Sequence, residues 1–389
     1  MKILLASSSS GSRGGGELYL LYLGRALAER GHEVSLWASS HPRMSELAES
    51  FAAFGKVHRS EYANTYDRPL RSVASYVDRA AAARVAQAWV STGADLVHIN
   101  KQNLEDGLDL LVAAGRLGTP SLCTIHLSQS ARYLRAVLAP LRDWVSQRAL
   151  RKYEGLLVTV LENRRRDLEE FVGPTPRIRV IPNGVPIFDL SRRAEIRDQK
   201  RRELGFSDEL VIIAVGRLVP QKRPLAFLQQ AKLVSERVPS ARFIWVGEGI
   251  LSEEWDRRVA ELGIAEIVSR LPWQRDVLPV LFAADLFLHV AEFEGLPLAI
   301  LEAMSAGLPC AIAENLLAEM PFFGPEDVLR VNSNASWAGA LLDQGALAKL
   351  GARARRIAEE RFSFGAMAAN YEELYRETLE RENRHGSLR

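Results

Sequence analysis

The chain has 389 residues, too many for one ordinary core, so two domains of roughly 150 to 200 residues each are expected. With 47% hydrophobic and 25% charged residues, and only 27 Gly and 17 Pro, it belongs to none of the disordered, fibrous or low-complexity classes. The net charge of +2 divides into 24 Lys and Arg against 18 Asp and Glu up to Asn183, and 26 against 30 after it; the first-half excess is too small and too scattered for a nucleic-acid partner.

No run approaches the roughly 18 uninterrupted apolar residues of a membrane span, and the opening MKILLASSSS has too short an apolar run for a signal peptide, so a cytoplasmic chain is expected. Cys123 and Cys310 sit in apolar surroundings and read as reduced core thiols rather than a disulfide or a zinc site.

In chain order, short apolar runs that read as buried parallel strands alternate with helix-period segments. Residues 2–6, 33–38, 95–99, 121–125, 156–160 and 178–181 make one set of strands; the pattern restarts at 210–215, 242–246, 266–270, 285–290 and 309–313. Ile181-Pro182-Asn183-Gly184 punctuates the change, ahead of a charged helix from Ala194 to Leu204. The fold class is therefore α/β, two doubly wound, Rossmann-like parallel sheets facing across a cleft. The expected division is 1–184, 185–365 and a C-terminal helix, 366–389, packing back on the N-terminal domain. Open sheets of this kind bind ligands beyond the carboxyl ends of their strands, so the chemistry should lie on loops that follow strands.

Gly216-Arg217-Leu218-Val219-Pro220-Gln221-Lys222 follows the strand at 210–215. The glycine permits a turn, and Arg217 and Lys222 put two cations on one loop, where they either hold a diphosphate or are merely solvated. After the strand at 285–290 comes Glu294-Gly295-Leu296-Pro297-Leu298, opening a helix read as 297–306 with Pro297 at its first position, Gly307 as cap and Pro309 as stop. The free N–H groups near Gly295 and Leu296 favour an anion. Glu302 lies mid-helix among apolar residues and needs a partner: a ribose diol or an internal ion pair would serve. Glu294 would accept hydrogen bonds from sugar hydroxyls or cap the helix.

These segments resemble the nucleotide-sugar site of family 4 glycosyltransferases of the GT-B fold. Gly14-Gly15-Gly16-Glu17 with Ala26 to Val34, Asp95-Leu96-Val97-His98, Thr124-Ile125-His126, Val180 to Val185 and Val246-Gly247-Glu248-Gly249 resemble further family segments in the family's order, across nearly the whole chain. The resemblance implies that Arg217 and Lys222 hold the donor diphosphate, Glu302 the ribose and Glu294 the transferred sugar. His126 would lie near the donor sugar and phosphate, unless it is simply a satisfied histidine at a strand end. Gly14, Gly15 and Gly16 would form the acceptor-side loop, unless the run is only a flexible turn. Gly16, Gly216, Leu271, Gly295, Leu296, Pro297 and Leu298 complete the implied donor-binding set, and Glu294, His126, Arg217 and Lys222 the implied catalytic set. The sequence departs from the family at Ala291, where Ser is frequent, at Pro272, where Gly is frequent, and after Pro309, where Ala313 to Glu319 lacks a glycine pair and Glu319 is the nearest match to the family's glutamate.

The implied activity is retaining transfer from a nucleoside diphosphate sugar, UDP-sugar rather than GDP-sugar, to a glycan, lipid-linked or small-molecule acceptor. No cofactor and no metal are expected: the chain holds no Asp-x-Asp pair, and the two cations supply the opposing charge. Dinucleotide-dependent oxidation, the rival chemistry on such sheets, fails on its fingerprint, since the glycine run starts eight residues after the first strand, continues to Tyr19 instead of a third glycine, and no acid ends the second strand. A non-catalytic sugar-nucleotide binder remains the other alternative. Finally, residues 130–152 carry Arg132, Arg135, Arg142, Arg148, Arg151 and Lys152 against the single acid Asp143, with Leu134, Val137, Leu138, Leu141, Trp144 and Val145 at helical spacing and Pro140 expected to kink or split the helix. Such a segment either turns its apolar side to a core or lies peripherally on an anionic membrane surface.

Overall fold

The computed structural model describes residues 1–9, 11 and 14–386, with side chains described as far as Arg381; residues 387–389 of the expected 366–389 segment lie outside the described residues. Two units result, Met1–Gly184 together with the segment from Phe364 onward, and Val185–Ser363.

In the first unit the order is β1 (Lys2–Ser7), α1 (Gly15–Glu29), β2 (Glu33–Ser39), α2 (Ser45–Phe51), β3 (Lys56–Ser60), α3 (Ser72–Val77), α4 (Arg79–Val90), β4 (Leu96–Asn103), α5 (Leu108–Ala114), β5 (Ser121–Leu127), α6 (Ala139–Lys152), β6 (Leu156–Thr159), α7 (Glu162–Val172) and β7 (Ile178–Val180). The strands form one parallel sheet in the order β3-β2-β1-β4-β5-β6-β7. Its order reverses between β1 and β4, so the crevice of the doubly wound fold opens at their carboxyl ends. The second unit runs through α8 (Arg193–Glu203), β8 (Leu210–Val215), α9 (Pro224–Ser235), β9 (Ala241–Val246), α10 (Ser252–Leu262), β10 (Val268–Leu271), α11 (Leu278–Ala283), β11 (Leu286–His289), α12 (Leu298–Ser305), β12 (Cys310–Ala313), α13 (Glu314–Leu317), β13 (Leu329–Val331) and α14 (Gln344–Arg361). Its sheet, β10-β9-β8-β11-β12-β13, reverses between β8 and β11. Strands such as β8, LVIIAV, are buried almost throughout because helices cover both faces of a parallel sheet.

Two strands escape the sequence reading. β3, KVHRS, and β13, LRV, are sheet edges, where polar residues and short length replace the apolar run that marks a central strand. The strand expected at 266–270 is Val268–Leu271, the helix expected at 297–306 is Leu298–Ser305 with Pro297 as its N-cap, and β4 continues past residue 99 to Asn103 because Lys101 and Asn103 still pair with Ile125 and Leu127. Cys123 and Cys310 are buried free thiols, each pushed up to about 12 by burial. Among the described residues no helix is long and apolar enough to cross a membrane.

The last helix, α15 (Phe364–Gly386), belongs to the first unit. Glu372 takes the Arg30 guanidinium at 2.5 to 2.8 Å. Deeper in, Tyr375 Oη lies 2.8 Å from His98 Nδ1, His98 Nε2 lies 2.8 Å from Thr124 Oγ1, and Thr124 Oγ1 lies 2.8 Å from Tyr371 Oη. One threonine hydroxyl thus ties β4, β5 and α15 together without solvent. Burial brings the His98 imidazole down to about 3, so it is neutral across the physiological range.

Two outcomes follow from this network. Thr124→Val removes the shared partner of His98, Tyr371 and, at 3.5 Å, Tyr19, and should cost about 1 to 3 kcal/mol in urea unfolding, whereas Thr124→Ser should be close to wild type. Since unfolded His98 protonates near pH ~6.5 and the folded one only near 3, the unfolded state binds more protons in between, so stability should fall as pH drops from about 6.5. His98→Asn should flatten the decline between about pH 7 and 5, leaving a remainder from the other imidazoles that burial lowers, among them His126, brought to about 4, and His289.

Candidate active site

The reversal between β8 and β11 puts two loops side by side, 216–223 after β8 and 290–297 after β11, and these carry most of the implied donor set. Lys222 Nζ donates to Glu294 Oε1 across the two loops, and His289 Nε2 meets the same oxygen at 3.2 Å. Glu294 is buried. Burial alone would raise its carboxyl, but the Lys222 ammonium and the His289 hydrogen bond reverse that and hold it at about 2, so it is ionised. His289, at the end of β11, is held down by burial and is neutral, which leaves its Nε2 proton to donate to the carboxylate. Lys222 has two further N–H groups for an incoming anion, and Arg217, exposed on the same loop, pairs with no carboxylate among the described residues.

Backbone bonds stitch the loops at fixed spacing. Glu292 N donates to Gln221 O at 2.8 Å, Gln221 Nε2 to Phe293 O at 3.1 Å, and Asn315 Nδ2 to Glu292 O at 2.7 Å and Ala291 O at 3.2 Å. On the other side, Gly216 N takes Val246 O at 2.9 Å and Leu218 N takes Glu248 O at 3.0 Å. This approach requires glycine at 247: its φ is 130°, and a Cβ there would collide with the Gly216 carbonyl. Gly247 N in turn donates to Leu271 O at 2.9 Å, which places Leu271 at the rim of the same strand ends. Gly295, Leu296, Pro297 and Leu298 are buried at the start of α12, and Glu302, the one acid of that helix, is buried one turn further in.

In the first unit, the crevice between β1 and β4 brings the implied acceptor-side glycines near His126, implied beside the donor sugar. Asn100 is the pivot: its Nδ2 donates to Gly16 O at 3.2 Å while its Oδ1 lies 2.7 Å from His126 Nε2. Tyr19 packs edge-on to the His126 ring, centroids 4.6 Å apart. Gly14 caps α1, its N–H donating to Glu17 at 2.7 Å, while Gly15 is exposed and Gly16 buried. The glycine run is thus an ordered helix start, and burial lowers His126 to about 4 and keeps it neutral. Beyond β1, β2 and β3, a cavity of roughly 780 Å³ is lined by Ser9, Ser39, Asn64, Arg43 and Arg84 among others.

Sequence reasoning missed His289, Gln221, Asn315 and Asn100. Each works through a hydrogen bond to another loop, and only His289 carried a local signal, as the last residue of an apolar strand.

The two parallel-sheet units, with two cations on a loop at the switch point of the second, define a GT-B type of glycosyltransferase architecture. Residues 13–187 match Glycosyltransferase Family 4, and residues 209–342 match Glycosyl transferases group 1. The chain belongs to the family 4 glycosyltransferases. It is 29% identical over 218 residues to the UDP-Gal:alpha-D-GlcNAc-diphosphoundecaprenol alpha-1,3-galactosyltransferase of Escherichia coli, covering 54% of this chain and 55% of that one, so it spans about half the length of that relative. A D-inositol 3-phosphate glycosyltransferase of Mycobacterium ulcerans is 29% identical over 323 residues, covering 77% of this chain and 66% of the relative. Anabaena HepE in complex with UDP and glucose shares the fold, with a TM-score of 0.77 at 19% identity over 96% of this chain and 98% of that one.

The buried pair gives a direct test. Lys222→Met leaves Glu294 without its counter-charge and should lower stability by about 2 to 3 kcal/mol in thermal or urea unfolding, because an unpaired buried carboxylate is costly. Adding Glu294→Gln should restore much of that loss; no recovery in the double variant would show that the pair is not what the loop depends on.

Proposed function

We propose that the protein transfers a sugar, with retention of anomeric configuration, from a UDP-sugar to a hydroxyl of a glycan or lipid-linked acceptor in envelope synthesis, at the cytoplasmic face of the membrane and without a metal. The observation that carries this reading is the convergence of Arg217, Lys222 and Glu294 on the two loops of one switch point, with Glu302 in the helix that follows. Support for the base comes from the relatives: one is named for UDP-Gal and a structural neighbour holds UDP. The first of these is also named for a diphosphoundecaprenol acceptor, which supports a lipid-linked one here.

In this reading Arg217 and the two remaining Lys222 donors bind the diphosphate, and Glu302 accepts from the ribose hydroxyls. Glu294, ionised and fixed by Lys222 and His289, accepts from hydroxyls of the sugar. The bond from the anomeric carbon to the diphosphate oxygen breaks with its electron pair staying on the diphosphate. The acceptor oxygen bonds to the same face of that carbon, and its proton passes to the departing oxygen. Positive charge grows on the ring and negative charge on the leaving group, so cations already aimed at the diphosphate lower the barrier. Gly14 to Gly16 serve the acceptor side, and His126 lies near the donor sugar and phosphate.

Calorimetry separates the roles. Lys222→Ala and Arg217→Ala should each weaken UDP binding by about tenfold or more while leaving uridine binding nearly unchanged, whereas Glu302→Ala should weaken both. Wild-type affinity in Lys222→Ala and Glu302→Ala would overturn the site assignment. Transfer should survive EDTA; loss on chelation, restored by manganese or magnesium, would overturn metal independence. Donor binding with no transfer to any acceptor would favour the non-catalytic alternative.

A further inference from the structure

The segment read as a basic amphipathic helix is built differently. Pro140 does not kink a helix but starts one: α6 begins at Ala139, and residues 130–138 form a turn ahead of it. Neither turn nor helix hides its large apolar residues. Half of the large apolar side chains exposed among the described residues fall between Tyr133 and Trp144, with Leu134, Val137, Leu138 and Leu141 between them; Val137 is 81% exposed and Trp144 57%. The helix buries Val145, Ala149, Leu150 and, unexpectedly, Arg142.

This turn is braced from beneath. Arg142 makes a two-pronged bond to Glu105, at 2.8 and 2.5 Å, and its third nitrogen donates to Val137 O at 3.1 Å. Asp143 accepts from Ala131 N at 2.7 Å and Arg132 N at 3.1 Å. Arg135 and Leu138 hold left-handed φ values of 52° and 55°, unusual for residues with a side chain. The fold therefore fixes a shape that turns apolar residues outward. Near them stand Arg132, Arg135 and Arg148, and Arg151 and Lys152 follow at the end of the helix, Arg151 also donating to Val172 O at 2.7 Å; all five are exposed and none is in an ion pair among the described residues, and the segment's single acid is already engaged by backbone N–H groups. Arg148 lies over the Trp144 ring, 5.9 Å from its centroid.

An apolar centre rimmed by unpaired cations complements a surface that is anionic at the outside and apolar beneath. A second copy of this chain would bring the same cations against each other, and like charges facing across a two-fold contact are unfavourable. We propose that the 131–138 turn and the first turns of α6 dock the first unit on an anionic bilayer leaflet, Val137, Leu138 and Trp144 entering the head-group boundary and the arginines contacting lipid phosphates. This deepens, and rests on, the lipid-linked acceptor reading by naming the surface that would present such an acceptor; Arg142 is a positioning residue for it.

The test is flotation of the full chain with vesicles of phosphatidylcholine containing about 30% phosphatidylglycerol, against phosphatidylcholine alone, at low and high salt. Binding to the anionic vesicles, weakened by salt, is expected, and Val137→Asp with Leu138→Asp should reduce it by at least about tenfold. Both positions are exposed, so the variant should keep the wild-type melting temperature and UDP affinity. Trp144 should account for a blue shift in fluorescence on binding that Trp144→Phe removes. No binding at low salt, equal binding to neutral vesicles, or undiminished binding by the aspartate variant would overturn the proposal. So would self-association in the absence of vesicles that the aspartate variant abolishes, since the patch would then be a contact between copies. A protein that binds vesicles but not UDP would instead refute the donor reading and leave this one standing.

Discussion

The ion pair between Lys222 and Glu294 is the interaction on which the candidate donor site depends. It joins the loop after β8 to the loop after β11, the two strands between which the sheet order reverses, and it neutralises a buried carboxylate that would be costly alone. A lysine on a solvated loop is a loose charge. Here one of its three N–H groups is spent on a carboxylate that burial, His289 and the surrounding backbone bonds hold in place, so the other two have a defined direction. In the proposed reading, what stabilises the pair also preorganises it for an anion.

The same economy recurs in the first unit with neutral groups. Thr124, His98, Tyr371 and Tyr375 form a closed polar chain under the sheet, fastening α15 beneath the strand ends that carry Asn100 and His126. Because burial keeps His98 and His126 uncharged, this inner chain is held by hydrogen-bond geometry, with the Arg30–Glu372 ion pair outside it. The Asn100 side chain then relates the start of α1 to His126, making one rigid surface out of two segments 110 positions apart in sequence, Gly16 and His126.

What could be read from the sequence follows from this division. Central strands announce themselves as unbroken apolar runs, so β1, β2, β5, β8, β9 and β12 were legible nearly to the residue; β3 and β13, sheet edges with one side open, carry no such run. The candidates Arg217, Lys222 and Glu294 on loops and Glu302 in α12 stood out because their types and spacing sit beside turn signals. Their mutual arrangement was not: nothing in the local pattern says that Glu294 binds Lys222, that His289 supports both, or that Asn315, in a stretch lacking the family's glycine pair, reaches back to the carbonyls of 291 and 292. Those are tertiary contacts, fixed by which strands lie next to each other.

Residues 130–152 show where periodicity misleads in a physically instructive way. Apolar residues at helical spacing predict a buried stripe, and the arginines between them a wet one. The fold inverts most of these assignments, burying Arg142 and exposing Leu134, Val137, Leu138, Leu141 and Trp144. Glu105, in the segment between β4 and α5, decides the matter. A guanidinium that finds a two-pronged carboxylate and a carbonyl inside the fold can be buried, and once Arg142 is anchored the helix is rotated so that its neighbours at 141 and 144 must face out. An apolar side chain gains nothing from water, so a segment held rigidly in that orientation is stabilised by whatever removes it from water. The proposed docking on an anionic leaflet draws on the exposed cations around it.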